Sequence, residues 1–197
     1  MKKTVTIFLL LGCLISSAQQ QSSANNMFWI TGNSTLTANT AAINTTETKV
    51  LSSGVLPANK LAVGTRIKIT LAGTCTTTLG NTSTFAIRIG TAGTVADALL
   101  ATITTGASAL SGTAVPFKAI IEISVRTVGA SATIGGSMAL GNNGILGISV
   151  LNDQVLNPAF SSFNSTTANL ILTATYKSAA ITTTSTFVDG AFDFIYN

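Results

Sequence analysis

Few side chains in this sequence could catalyse a reaction. The 197 residues include no histidine, which removes the usual general base, the Ser-His-Asp triad and the commonest transition-metal ligand. Six carboxylates remain, at Glu47, Asp97, Glu122, Asp153, Asp189 and Asp193. They are scattered, and the sequence does not place any two of them together as glycoside hydrolysis requires. We therefore predict a protein that is not an enzyme and has no catalytic residues.

Metal and phosphate sites are equally poorly supported. Asp189 and Asp193 near a C-terminal Asp-Gly turn signal could bind calcium with backbone carbonyls, but two solvated acids beside a glycine turn are the more common arrangement. Gly90-Thr-Ala-Gly93 and Gly135-Gly136 are not followed by the Gly-Lys-Ser/Thr of a phosphate loop. We predict no cofactor and no metal.

The two cysteines exclude a disulfide framework. Cys13 lies in the hydrophobic N-terminal segment, whereas Cys75 is alone in the body of the chain, at the end of an alternating stretch. A small buried hydrophobic residue is the favoured interpretation of Cys75 over a reactive thiol.

The N-terminal segment resembles an export signal. Two lysines precede an apolar run at residues 5–15, and Ser16-Ser17-Ala18 follows, which predicts signal-peptidase cleavage between Ala18 and Gln19. The run is shorter than the roughly 20 apolar residues of a transmembrane helix. Leu10-Leu11-Gly12-Cys13 also resembles a lipoprotein box with Cys13 as the acylated residue, although simple secretion is favoured. If it is retained, the segment would act as an assembly anchor.

The composition of the body indicates a single ordered domain. Charged residues make up 8% of the chain, against about 25% in an average soluble domain, while hydrophobic residues make up 46%, which argues against disorder. The basic residues are spread singly, so a nucleic-acid partner is not expected. We predict a segment and polar connector over 1–26 and one domain over 27–197.

Apolar residues in the body alternate with a period of two, the pattern of half-buried strands. Stretches of this kind occupy 64–71, 85–89, 119–126, 170–176 and 192–196. Glycine and asparagine clusters separate them, and Asp189-Gly190 suits a tight hairpin or a bulge. Only 95–103 has a helix-like spacing, and it fits a strand with a loop equally well. The predicted fold is an all-β, jelly-roll-like antiparallel sandwich.

Aromatic residues suggest where the domain meets other molecules. Phe160 and Phe163, flanked by Pro158 and by Ser and Asn residues, are predicted to form an exposed or inter-subunit patch. Trp29 with Phe28 could stack on a sugar, but capping of the core is favoured. No ligand-binding residue can be assigned from the sequence.

Several segments together carry a resemblance to a known family. They are Leu56–Thr74, Asn81–Asp97, Val115–Lys118, Arg126–Ala130 and Tyr176–Ala180 followed by Thr182–Phe187. In their order and spacing they resemble the jelly-roll domains of tailed-bacteriophage virion proteins, especially head and tail fibre tips and decoration proteins. The resemblance covers roughly residues 43–197. It implies a self-associating β-sandwich, often a trimer, that displays loops at a particle surface and binds host glycans.

Two functional hypotheses follow, and an enzyme is a distant third. The first is a structural virion protein that forms a homotrimer with other virion proteins around it. The alternative is a secreted bacterial surface protein, an adhesin or extracellular filament subunit, exported by the N-terminal segment. A mature chain that begins at Gln19 would favour the alternative.

Overall fold

Alternating hydrophobic residues form β-strands throughout the described part of this chain. A computed structural model describes residues 34–38, 40–43, 45–105, 107–108, 111–142, 154–156, 159–166, 168–180 and 184–195. The strands are β1 (Ser34–Thr35), β2 (Thr40–Ile43), β3 (Thr48–Ser52), β4 (Arg66–Thr77), β5 (Ser83–Gly90), β6 (Ala98–Thr104), β7 (Gly112–Thr127), β8 (Thr133–Asn142), β9 (Gln154–Leu156), β10 (Ala159–Phe160), β11 (Ile171–Ser178) and β12 (Thr184–Ile195). No helix able to cross a membrane occurs among these residues.

The strands form two antiparallel sheets that pack as a sandwich. The seven-stranded sheet has the order β1-β12-β4-β7-β8-β9, with β2 also paired to β12, and the five-stranded sheet has the order β10-β6-β5-β11-β3. The chain therefore passes between the sheets from β2 to β3, β3 to β4, β4 to β5, β6 to β7, β9 to β10 and β11 to β12. This winding is that of a jelly roll, so the predicted fold class is confirmed.

Side-chain alternation places the core between the sheets. Ile67, Ile69 and Leu71 of β4 are buried. The described apolar residues on one side of the other alternating stretches are buried too: Phe85, Ile87, Ile89, Ile121, Ile123, Val125, Leu170, Leu172, Ala174, Tyr176, Phe192 and Phe194. Their polar neighbours in sequence point to the two outer faces, because successive residues of a strand face opposite sides. The hydrophobic pattern that predicted the strands thus also predicted which residues form the core.

Four aromatic rings pack edge to face at one position in this core. Phe85 contacts Phe117 and Tyr176, with ring centroids 6.3 and 5.2 Å apart, and Phe187 lies 5.4 Å from both Phe117 and Tyr176. The Tyr176 hydroxyl is hydrogen-bonded to Ser83 at 2.7 Å and accepts a hydrogen bond from Ser185 at 3.0 Å. Burial raises the pKa of Tyr176 to about 12, so this residue is a neutral core residue with its hydroxyl satisfied.

The structure answers three local predictions made from the sequence, at Cys75, at 95–103 and at Asp189-Gly190. Cys75 is 1% exposed and burial raises the pKa of its thiol, which agrees with the buried hydrophobic residue predicted from sequence. The helix-like spacing at 95–103 belongs to a turn followed by strand β6. Asp189-Gly190 lies inside β12 just after a register shift between Phe187 and Asp189, so it is a bulge and not a hairpin turn.

Candidate functional site

The outer face of the five-stranded sheet carries a closed ion pair. Alternation along β5 turns Arg88 outward between the buried Ile87 and Ile89, and Glu47 stands just before edge strand β3. The Arg88 guanidinium donates from Nε to Glu47 Oε1 at 2.7 Å and from Nη2 to Oε2 at 2.6 Å. Thr175 Oγ1 on β11 also donates to Glu47. These hydrogen bonds, above all those from Arg88, hold the pKa of Glu47 below its usual value.

The loop between β5 and β6 completes this cluster. Arg88 Nη1 donates to the backbone oxygen of Asp97 at 2.8 Å. The Asp97 carboxylate accepts a hydrogen bond from the Thr94 backbone N–H at 2.9 Å, which fixes the loop. The loop can lie this close because residue 90 is glycine, where a Cβ would come within 2.2 Å of the Asp97 carboxylate. Arg88 and Glu47 satisfy each other, and the Asp97 carboxylate is satisfied by the backbone of its own loop, which indicates a structural role.

The outer face of the seven-stranded sheet is organised differently, in four rows that cross its strands. Strand register places one residue each from β12, β4, β7 and β8 in every row. The first row is Ile195, Arg66, Ser124 and Gly135; the second is Asp193, Lys68, Glu122 and Ser137; the third is Ala191, Thr70, Ile120 and Ala139; the fourth is Asp189, Ala72, Lys118 and Gly141. We call this set of residues the open face.

Charges on the open face have no partner within the described part of the chain. Lys68 stands opposite both Asp193 and Glu122 in the register, yet the only salt bridge between described residues is that of Arg88 with Glu47. Glu122, Asp193 and Arg66 are exposed. The open face therefore presents separated charges of both signs to whatever contacts it.

A shallow pocket of about 210 Å³ lies at one end of the open face. It is lined by Arg66, Ile67, Lys68, Glu122, Ile123, Ser124, Gly136, Ser137 and Ile195. Gly136 contributes no side chain, and the side chain of Arg126 lies against its neighbour Gly135, where a Cβ would come within 2.3 Å of the guanidinium. The pocket is smaller than the roughly 300–1,000 Å³ typical of small-molecule sites, which suits a protruding side chain better than a substrate.

Two of the scattered carboxylates are brought onto one row by this fold. Glu122 on β7 and Asp193 on β12 stand on either side of Lys68, two strand spacings apart, or about 10 Å along the row. The sequence alone had placed no two acids together. Among the described residues there is no group of three His, Cys, Asp or Glu side chains arranged to hold a metal ion.

The residues that the sequence singled out lie elsewhere. Phe160 and Phe163 are half-buried and pack against the hydrophobic core, and Phe163 pairs through its backbone with Ala132. Their use in assembly stays a prediction. Cys13, Ala18 and Gln19 lie outside the described residues, as do Phe28, Trp29, Asp153 and Pro158.

The open face was not identified from the sequence, although part of its signal was present. The alternation in 64–71 and 119–126 places Arg66, Lys68 and Glu122 on the side opposite the apolar residues. It did not show that β4 and β7 are neighbours, which depends on pairing across more than 40 residues of chain.

Comparison with protein-family models, curated proteins and solved structures finds no match for this chain.

Proposed function

We propose that this protein is a non-enzymatic structural subunit that self-associates at the surface of a particle. Its setting is a virion, as part of a phage fibre or of a head or tail decoration, where exposed loops contact host surface glycans. The virion setting, the glycans and a trimeric order come from the resemblance of the sequence segments to phage jelly-roll domains.

The open face is the observation that carries self-association. The outer face of the five-stranded sheet carries an ion pair that Glu47 and Arg88 complete within the chain, with Lys49 and Lys177 exposed beside it. The outer face of the seven-stranded sheet presents exposed charges of both signs with no described partner and small side chains between them. Small residues keep a sheet surface low in relief, and low relief lets a second surface approach closely. This combination supports an assembly role rather than a solvent-facing one.

A second setting is favoured by the N-terminal segment. Two lysines, an apolar run and Ser-Ser-Ala are the parts of an export signal. In this alternative the same jelly roll is an adhesin or filament subunit on a bacterial surface, and self-association builds the filament.

Two measurements test the proposal. The first is native mass as a function of protein and denaturant concentration: a subunit of an assembly forms oligomers that persist in mild denaturant, and a chain that is monomeric at every concentration contradicts the proposal. The second is the intact mass and N-terminal sequence of the protein from its natural particle or envelope. A chain that begins at Met1 supports the virion, and one that begins at Gln19, or carries an acylated Cys13, supports export.

A further inference from the structure

We infer that the open face is a contact between two copies of this chain, related by a two-fold axis that runs parallel to the strands between β4 and β7. The inference rests on the proposed self-association and adds its location and symmetry. In a two-fold contact both copies use the same surface, so every pair of contacting residues occurs twice in the interface.

Charge complementarity favours this axis. Rotation about it places Lys68 opposite Glu122 of the second copy and Glu122 opposite Lys68 of the second copy, because these residues are direct partners on β4 and β7. Asp193 then meets Ser137, Asp189 meets Gly141, and Lys118 meets Ala72. No charge on the four rows is opposed by one of the same sign.

An axis perpendicular to the strands is less favourable by the same criterion. An axis that crosses the strands along the row of Thr70 and Ile120 exchanges the second row with the fourth. It would pair Glu122 with Lys118 of the second copy, but it would also oppose Asp193 to Asp189. Like charges brought together in a contact cost several kcal/mol, which offsets the favourable pair.

Shape agrees with the axis that charge favours. Ile195 is 50% exposed at the β12 end of the first row, and Gly135 is at the β8 end of that row. Rotation places Ile195 of each copy over Gly135 of the other, where the Arg126 side chain lies, and next to the pocket. A protruding apolar side chain thus lies near a depression on this face, and the half-buried Thr70 and Ile120 meet each other near the centre.

The contact is small, so the dimer is a weak one. From Arg66 to Ala72 and across four strands, the rows cover roughly 450 Å² at about 3.3 Å per residue and 4.8 Å per strand. A standard interface buries about 800 Å² per partner. We expect association in the micromolar range for a pair of free chains, and tighter association where many copies are held together.

Mixing two charge-reversed chains tests the inference. Lys68→Glu leaves two acids to face each other in its own dimer, and Glu122→Lys leaves two lysines. We expect each variant alone to self-associate about tenfold more weakly, or worse, than the wild type in sedimentation velocity. An equimolar mixture of the two restores association, because a mixed dimer forms a Glu–Lys pair at both positions.

The mixture separates this contact from intrachain effects, since Lys68 and Glu122 also neighbour each other within one chain. Lys49→Glu, a charge reversal on strand β3 of the other sheet, is the matched control and leaves association unchanged. Unfolding curves for each variant confirm that it is folded. If the wild type associates but neither variant weakens it, or the mixture stays dissociated, the two-fold contact is wrong while self-association stands. A wild type that never associates contradicts both.

Discussion

Each outer face of this sandwich carries a cluster of opposite charges, and the two clusters are arranged differently. On the five-stranded sheet Arg88 is held by both oxygens of Glu47 and by the Asp97 backbone, and the two side chains are only 19% and 22% exposed. On the seven-stranded sheet Lys68 stands between two acids without forming a salt bridge to either. The first cluster is joined by hydrogen bonds within one chain, whereas the second leaves its charges without a salt bridge between described residues.

This difference shows why charge content alone does not reveal a contact surface. A charged residue that is satisfied within its own fold contributes to stability, and one that is left without a partner is available for association at little cost to folding. The same substitution should therefore have different consequences on the two faces, and matched pairs of variants can measure that difference.

Replacing one arginine on each face should give the largest difference in the free energy of unfolding. Arg88→Met abolishes three hydrogen bonds and leaves the Glu47 carboxylate without its counter-charge, so we expect the free energy of unfolding to fall by about 2–3 kcal/mol. The matched Arg66→Met on the open face should change it by less than about 0.5 kcal/mol. Urea denaturation at pH 7 measures both, and equal losses would show that the faces do not differ.

Acidification should remove part of the same stabilisation. The pKa of Glu47 is lowered in the folded state. The contribution of ionised Glu47 to the free energy of unfolding is therefore complete above the pKa of a glutamate in the unfolded chain, about 4.3. It is lost as the pH falls through the lower pKa of the folded state. We expect the difference in the free energy of unfolding between wild type and Arg88→Met to shrink as the pH falls below about 4.3. A difference that stays constant from pH 6 to pH 3 would mean that the pair does not depend on ionised Glu47.

The contrast between the faces also marks the limit of sequence analysis. Alternation around Ile67, Ile87 and Ile121 was enough to predict strands, their buried sides and an all-β sandwich, because burial of one face imposes a period of two. It could not show that Glu47 folds back onto Arg88, 41 residues away. That contact is set by how β3 joins the sheet edge, and no local pattern encodes it.

The same reason explains why the candidate site was missed. Phe160 and Phe163 stood out in sequence as aromatic residues among polar ones, yet both pack against the core. The open face consists mainly of charged and small residues, types that are ordinary on any surface. Only the register of β12, β4, β7 and β8 turns them into rows.

Matched threonine substitutions should change the free energy of unfolding less than the arginine substitutions do. Thr175 on β11 is 1% exposed and donates its hydroxyl to Glu47, so Thr175→Val leaves that carboxylate one hydrogen bond short. We expect a loss of about 1.5 kcal/mol. Thr70→Val on the open face removes a half-buried hydroxyl from a strand that tolerates valine well, and its stability should equal that of the wild type or exceed it slightly. A loss at Thr70 as large as at Thr175 would contradict the comparison.

The smallest effect is expected from the coupling between Lys68 and Glu122 within one chain. The two residues are direct cross-strand neighbours, but both side chains remain in solvent contact and form no salt bridge. A double-mutant cycle with Lys68→Met and Glu122→Gln, run at concentrations too low for association, should therefore give a coupling energy of no more than about 0.5 kcal/mol. The corresponding cycle with Arg88→Met and Glu47→Gln should give at least about 1.5 kcal/mol, because those groups are largely shielded from water. A coupling above about 1 kcal/mol at Lys68 and Glu122 would mean that they satisfy each other in the free chain. Their charges would then be paired within one chain, like those of Glu47 and Arg88, and the main electrostatic reason for a second copy to bind there would be lost.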